Sequence, residues 1–237
     1  MGRKRGKLIT IDGTDSSFKE TQAGMAKKRL ISEGFSCETM DFPRYHQQPT
    51  GRMVGQCYLG KDVKFYGWQG DAGWFPEGTA NVNPLGPSAL YGWDREREQP
   101  TLKRWLKEGK IVLLDRYDSA NKIHQGGKVK PYSERVKFWK KLDLLEFEYY
   151  ENIRPDLTIL LHNPTEIAIE IRKAGDEKKD GHESSFSHLH DAEEAALQAA
   201  EYYRWKIVKC ANGKTMDSLR SREEIHEEVY RHIKGIL

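Results

Sequence analysis

"KLITIDGTDSSFKETQAGMAKKRLISEG", residues 7–34, decides the fold. It opens as a short β-rich run closed by the turn signal Asp12-Gly13, and from Lys19 it reads as a helix ending at Gly34. Strand, polar loop and helix in that order frame a phosphate-binding loop, usually G-x-x-x-x-G-K-[ST]. Its backbone N–H groups wrap the phosphates, its Lys reaches the outer ones and its hydroxyl holds Mg²⁺. Gly13 and Lys19 stand in register, whereas the second glycine position holds Phe18 and the hydroxyl position holds Glu20. Phe18 need not abolish phosphate binding, because the amides do the work and the ring can turn outward if its φ stays negative. Glu20 is the sharper departure. A carboxylate about 4 Å from a phosphate oxygen is opposed by about 4 kcal/mol per unit charge at an effective dielectric of 20. Mg²⁺ between them reverses that sign, and Thr21 offers a hydroxyl one residue along.

Outward from this unit, "CETMDFP" gives a second strand ending at Pro43. Residues 62–87, rich in Gly, Pro and aromatics, have neither a helical nor an alternating period and read as an insertion or long loop. A helix is expected from Ser88 to about Glu108, with Pro100 kinking or dividing it. "KIVLLD" and "DLTILLH" are apolar runs suited to buried parallel strands, and "KIVKC" is a plausible last one. "DAEEAALQAAEYYRW" is helical by propensity, and the final "SREEIHEEVYRHIKGIL" carries a capping box at Ser221 and Glu224. This alternation predicts a single α/β domain over 1–237, a three-layer sandwich of the P-loop NTPase type with a mostly parallel sheet and helices on both faces. Ligands of such sheets bind beyond the C-terminal strand ends. "DGTDSSFKETQ", "FPRY" and "DRYDSANKIHQGG" all fall there.

Composition narrows the class. The chain's 237 residues suffice for one sizeable core. Lys+Arg number 39 against 36 Asp+Glu, which argues against a nucleic-acid coat while leaving room for a local basic cleft. The three cysteines, Cys37, Cys57 and Cys210, form no C-x-x-C pair, so neither a disulfide framework nor a zinc site is indicated, and a reduced, cytoplasmic setting is expected. The apolar run after the basic start is too short for a signal peptide or a membrane span.

At this point the sequence resembles the thymidylate kinases, P-loop enzymes that move the γ-phosphate of ATP onto dTMP. Their phosphate loop reads like "EGxDGxGKxTQ", here "DGTDSSFKETQ". Their "FPRxxxxxGRxVxxYLxG" is matched by "FPRYHQQPTGRMVGQCYLG", and "DRxxxxxPxIxxxLxxGxxVxxDRY" by "DREREQPTLKRWLKEGKIVLLDRY". The resemblance implies ATP as co-substrate and Mg²⁺ as cofactor, with Gly13, Thr14, Ser16, Ser17, Phe18, Lys19, Glu20 and Thr21 around the donor phosphates. It makes Asp15 the partner of the acceptor sugar, Phe42 a platform for the base, and Arg44 and Arg95 a clamp on the acceptor phosphate. Asp115 takes the place of the Mg²⁺ carboxylate, with Glu20 as a second ligand, and Arg116 lies between donor and acceptor. Asn121 and Gln125 meet the base, while His124 stands where a Tyr often excludes a 2′-hydroxyl.

The resemblance also implies a cation on the transferring phosphate, carried in the phosphate loop or in the lid; this loop has no Arg, and in the lid expected at about 171–183 Arg172 and Lys173 are the candidates. A homodimer is implied, with nucleotides as the small-molecule partners and neither nucleic acid nor membrane. Three readings stay open: a dTMP kinase, a related kinase acting on another or modified pyrimidine nucleotide or nucleoside, and a non-catalytic nucleotide-binding protein.

Overall fold

The strands form where β-branched and leucine-rich runs are hidden on both faces, as the P-loop architecture requires. In the computed structural model, which describes residues 5–47, 49–61, 63, 79, 81–174 and 186–237, these are β1 (Lys7–Gly13), β2 (Cys37–Asp41), β3 (Ile111–Asp115), β4 (Leu157–His162) and β5 (Lys206–Lys209). They pair in the order β2-β3-β1-β4-β5, every neighbouring pair parallel. The register sets Ile11 of β1 and Asp41 of β2 beside Asp115 of β3, so β2 and β3 finish level while β1 continues to Gly13.

Helices cover the sheet: α1 (Lys19–Ser32), α2 (Pro49–Met53), α3 (Leu85–Lys107), α4 (Asp118–Ala120), α5 (Tyr132–Asp143), α6 (Thr165–Ala174), α7 (Phe186–Tyr203) and α8 (Arg222–Lys234). Alternation along β1 divides the core. Ile9 and Ile11 face Ala26 and Leu30 of α1 and Val229 and Ile233 of α8. Leu8 on the opposite face packs with Leu102 and Leu106 of α3. The alanine stripe of α7, including Ala192, Ala196 and Ala200, lets that helix lie close on Leu160. This is the expected α/β sandwich.

Boundaries moved in a few places. Helix α3 begins at Leu85, inside the segment expected to be irregular, and runs through Pro100 undivided. The Gln99 amide bonds the Arg95 carbonyl at 3.0 Å and accepts the Ile153 N–H at 3.0 Å, tying the helix down beside the proline. Most of 62–87 and, of the expected lid, residues 175–183 lie outside the described residues. The remainder of the lid is the last turn of α6, with Arg172 and Lys173 on a helix rather than a loop. The capping box of α8 forms as read, Glu224 N–H to Ser221 Oγ at 3.2 Å and Ser221 N–H to Glu224 Oε2 at 2.8 Å. Periodicity did not foretell three π-helical turns, Val54–Tyr58, Asn121–Gln125 and Leu144–Tyr149.

Candidate active site

Lys19 is fixed by the loop it follows. Its Nζ donates to the carbonyls of Thr14 at 2.9 Å and Gly13 at 3.3 Å and to Ser17 Oγ at 3.3 Å, leaving the residue buried. Thr14 locks the loop to the sheet: its Oγ1 donates to the Asn163 carbonyl at 2.8 Å and accepts the Asn163 N–H at 2.9 Å. Ser17 Oγ donates to the Thr14 carbonyl at 2.6 Å. Gly13 is required sterically, since a Cβ there would lie 2.4 Å from the Leu161 carbonyl oxygen. Among the described residues, no protein group accepts the N–H groups of Asp15 through Thr21. They gather at the N-terminal end of α1, where anions are favoured.

Phe18 does not keep a negative φ. Its φ of 62° and ψ of 27° place it in the left-handed region, and Ser16 has φ 52°. The chain has therefore kept the backbone shape that the missing glycine would supply, and the Phe18 ring packs on the α1/α8 core. Glu20 is exposed in the first turn of α1 and Thr21 is half-buried.

Beyond the strand ends lies a cavity of about 280 Å³, lined among others by Asp15, Phe42, Arg95, Asp115, Arg116 and Tyr117. Asn121, His124 and Gln125 line it too, brought to one wall by the π-helical turn. Asn121 donates to the Ser88 carbonyl at 3.1 Å. Phe42 is both core and wall, its ring 5.6 Å from that of Tyr117. Arg95 is gripped through two nitrogens by the buried carboxylate of Glu146, and its Nη1 donates to the Tyr117 carbonyl at 3.2 Å. Arg44 does not line the cavity; it pairs with Asp41 at 2.7 Å and Glu98 at 3.5 Å, behind the wall. From α6, Arg172 reaches Asp15 at 3.2 Å.

Charge in this space is concentrated. Burial raises the pKa of Asp12, against the pull of Arg116 and Lys19, and its carboxylate accepts Ser119 Oγ–H at 2.6 Å and the Gly13 N–H at 2.8 Å. Burial likewise raises Asp115, and one of its oxygens is buried with no hydrogen-bond partner. For Asp15 burial acts upward, yet the groups around it, His124 and the cations Lys19, Arg116 and Arg172, hold it down at about 2. His124 is lowered to about 3, chiefly by burial and further by Arg116, so it is neutral at pH 7 and stands 3.4 Å from Arg116 Nη1. Burial also lowers Lys19. Arg116, itself at φ 64°, is opposed by burial but held fully protonated by Asp12, Asp15, Tyr45 and Asp115.

Sequence reasoning missed Asp12, Glu146 and His188. Asp12 carried a signal, a carboxylate closing β1 directly before Gly13. His188 lines the cavity from α7, and Glu146 comes from the third π-helical turn. Neither lies in a recognisable motif.

An orphaned amide nest, a lysine folded beneath it, and an Asp-Arg pair closing the neighbouring strand define a P-loop phosphotransferase. No protein-family model matches the chain. It is similar along nearly its whole length to the thymidylate kinase of Halothermothrix orenii, at 29% identity over 98% of this chain and 99% of the relative. A probable thymidylate kinase of Methanosarcina barkeri shows 29% identity over 98% of each chain, and the Pelobacter propionicus thymidylate kinase 25% over 96% and 94%. These likenesses to thymidylate kinases run along nearly the whole chain.

Proposed function

We propose that this chain transfers the γ-phosphate of ATP to dTMP, giving ADP and dTDP. The observation that carries the reading is one cavity in which the loop's Asp15, the Asp115-Arg116 pair and the amide-bearing wall of Asn121 and Gln125 converge. Phosphoryl transfer asks the protein for position and charge rather than covalent chemistry. The acceptor's phosphate is itself the nucleophile, so no general base is needed. The donor phosphates lie on the amides of Asp15 to Thr21, with Lys19 beneath them and Gly13, Thr14, Ser16 and Ser17 shaping the loop. Arg116 stands between donor and acceptor, and Arg172 exchanges Asp15 for the transferring group. Arg95 meets the acceptor phosphate, Arg44 supports that wall, Phe42 carries the base, and Asp15 takes the sugar hydroxyl. Asn121 and Gln125 read the base edge, and His124 lies at the sugar.

The unpartnered buried oxygen of Asp115 suits Mg²⁺, a hard cation that takes oxygen ligands. Glu20, exposed one residue after Lys19, is the second candidate carboxylate. Bound there, Mg²⁺ would neutralise phosphate charge. No helix among the described residues is long and apolar enough to cross a membrane, and a cytoplasmic homodimer is part of the proposal.

A second acceptor class is favoured by His124 and His188, which bring imidazoles to the cavity wall. The test is ADP release with ATP and Mg²⁺ across dTMP, dUMP, UMP, CMP and thymidine. Preference for dTMP supports the reading. Preference for another acceptor shifts it to the related kinase, and silence throughout, without Mg²⁺-dependent ATP binding, overturns both.

A further inference from the structure

Asn163 sits beside the start of α6, where an asparagine ordinarily caps a helix, yet it caps nothing. The Thr165 N–H that opens α6 goes instead to Glu193 Oε2 at 2.9 Å. Asn163 is fully buried, and its Oδ1 takes no hydrogen bond among the described residues. A buried acceptor left unpaired is a cost to the fold, so stability does not account for this side chain. Its Nδ2 does have a partner. It crosses from the end of β4 to the phosphate loop and donates to the Ser16 carbonyl at 3.2 Å.

That carbonyl lies in the strained part of the loop. Ser16 and Phe18 are both left-handed, at φ 52° and 62°, and the Ser16–Ser17 peptide lies between them. A trans peptide is planar, with its C=O and N–H pointing in opposite directions, so gripping one aims the other. The Ser17 N–H aimed in this way is among the amides that no protein group accepts. Other holds on the loop are weaker, more distant or temporary. The Cys210 thiol lies 3.7 Å from the Ser17 carbonyl, and Thr14 anchors only the loop's start. The Lys19 ammonium, bonded to the Gly13 and Thr14 carbonyls, is drawn to the phosphates when nucleotide binds under the proposed function.

We propose that Asn163 is a positioning residue for the donor phosphates: its side-chain amide holds the Ser16–Ser17 peptide from β4, a restraint that a glycine at position 18 would make unnecessary. This rests on the loop binding the phosphates of ATP, as proposed above. With glycine at 18 the left-handed turn carries no Cβ strain and needs no outside grip. With phenylalanine the loop gains by relaxing, and the Asn163 amide opposes that relaxation. The effect of losing Asn163 therefore depends on which residue stands at 18.

The experiment is the dissociation constant of Mg·ATP, measured by calorimetry for the wild type, Asn163→Ala, Phe18→Gly and the double variant, with the KM for dTMP and the urea midpoint of each. Asn163→Ala should weaken ATP binding about fivefold when residue 18 is phenylalanine, the loss of one hydrogen bond. The same substitution should cost less than about twofold when residue 18 is glycine. The KM for dTMP should not follow, and the midpoint of Asn163→Ala should stay close to wild type, because the unpaired Oδ1 leaves with the bond. Equal fold losses in the two backgrounds overturn the proposal, as does unchanged ATP binding in Asn163→Ala. So does a loss accompanied by an equal rise in the KM for dTMP and a fallen midpoint, the mark of a merely structural role. Should the alanine variant fold poorly, Asn163→Val keeps bulk without the amide and is held to the same expectations. A wild type that does not bind Mg·ATP overturns the underlying reading instead, and that is seen before any variant is made.

Discussion

Replacing Phe18 by Gly and, separately, by Ala isolates the cost of the altered loop. At φ 62° a residue with a Cβ is strained by about 1–2 kcal/mol. Glycine removes that strain but adds freedom to the unfolded chain, which at an unstrained site makes it about 0.4–1 kcal/mol worse than Ala. Both variants lose the same ring from the α1/α8 core, so that loss cancels between them. The Gly variant should therefore be the more stable by about 0.5–1 kcal/mol, the reverse of the ordinary order. In a chain of 237 residues this is about 2 °C in Tm. Urea midpoints of the two variants, measured side by side, give the sign directly. Phosphoryl transfer in Phe18→Gly should match or exceed the wild type, because the loop amides keep their directions. An Ala variant equal to or above the Gly variant would refute the strain argument.

Further outcomes follow from the same geometry. Lys19→Ala should abolish ADP release while circular dichroism shows the fold retained; near-normal turnover would remove Lys19 from the site. Glu20→Ser should retain or raise activity in Mg²⁺ titrations, whereas complete loss would make the carboxylate a required metal ligand. His124→Tyr should raise the preference for dUMP over UMP, and an unchanged ratio of kcat/KM would separate His124 from the sugar. Glu193, opposed by burial but held down at about 2 by His162 and Thr165, has a folded pKa below its unfolded one. Its contribution, about 2 kcal/mol after screening, is present above pH 4.5 and lost as pH falls toward 2. Chemical unfolding of Glu193→Gln between pH 2 and 5 should show a shallower decline than the wild type.

The sheet was legible because its strands are continuous apolar runs, and a run buried on both faces has few alternatives. The start of α1 was legible for a different reason, since Gly13 and Lys19 carry a spacing that only a loop of one shape uses. Less visible was the wall bearing Asn121, His124 and Gln125. Its π-helical turn arises from packing, with Lys122 buried between Asp118 and Asp143 and Trp139 Nε1 donating to the Lys122 carbonyl at 3.0 Å. Periodicity carries no trace of such distant partners. Arg95, singled out by motif, lines the cavity, while the partner that orients it, Glu146, is 51 residues away and has no local signature. Phe18 shows the opposite failure. Its identity suggested a relaxed φ, but the anchoring of Thr14 to Asn163 and of Lys19 to the loop carbonyls imposes the left-handed turn whatever side chain occupies it.

That imposed turn bears on whether the loop works. Phosphate recognition uses amide directions, and those are set by Thr14, Ser17 and Lys19, all of which make their bonds without help from residue 18. Strain of about 1–2 kcal/mol is a sizeable fraction of a domain's net stability, and the bonds of Thr14 and Lys19 hold the geometry against it. The cations are prepared similarly: Arg95 rests on Glu146 and Arg172 on Asp15. A phosphate arriving at Arg172 must displace Asp15, whose low pKa keeps it ionised throughout the neutral range. Under the proposed function, nucleotide binding would exchange one anion for another, and Asp15, released from Arg172, would be free to accept the acceptor's hydroxyl. Removing the carboxylate with Asp15→Asn should thus tighten ATP binding severalfold while slowing transfer, a split that calorimetry and single-turnover rates resolve. Weaker ATP binding in that variant would show that Asp15 organises the loop rather than competing with the phosphate.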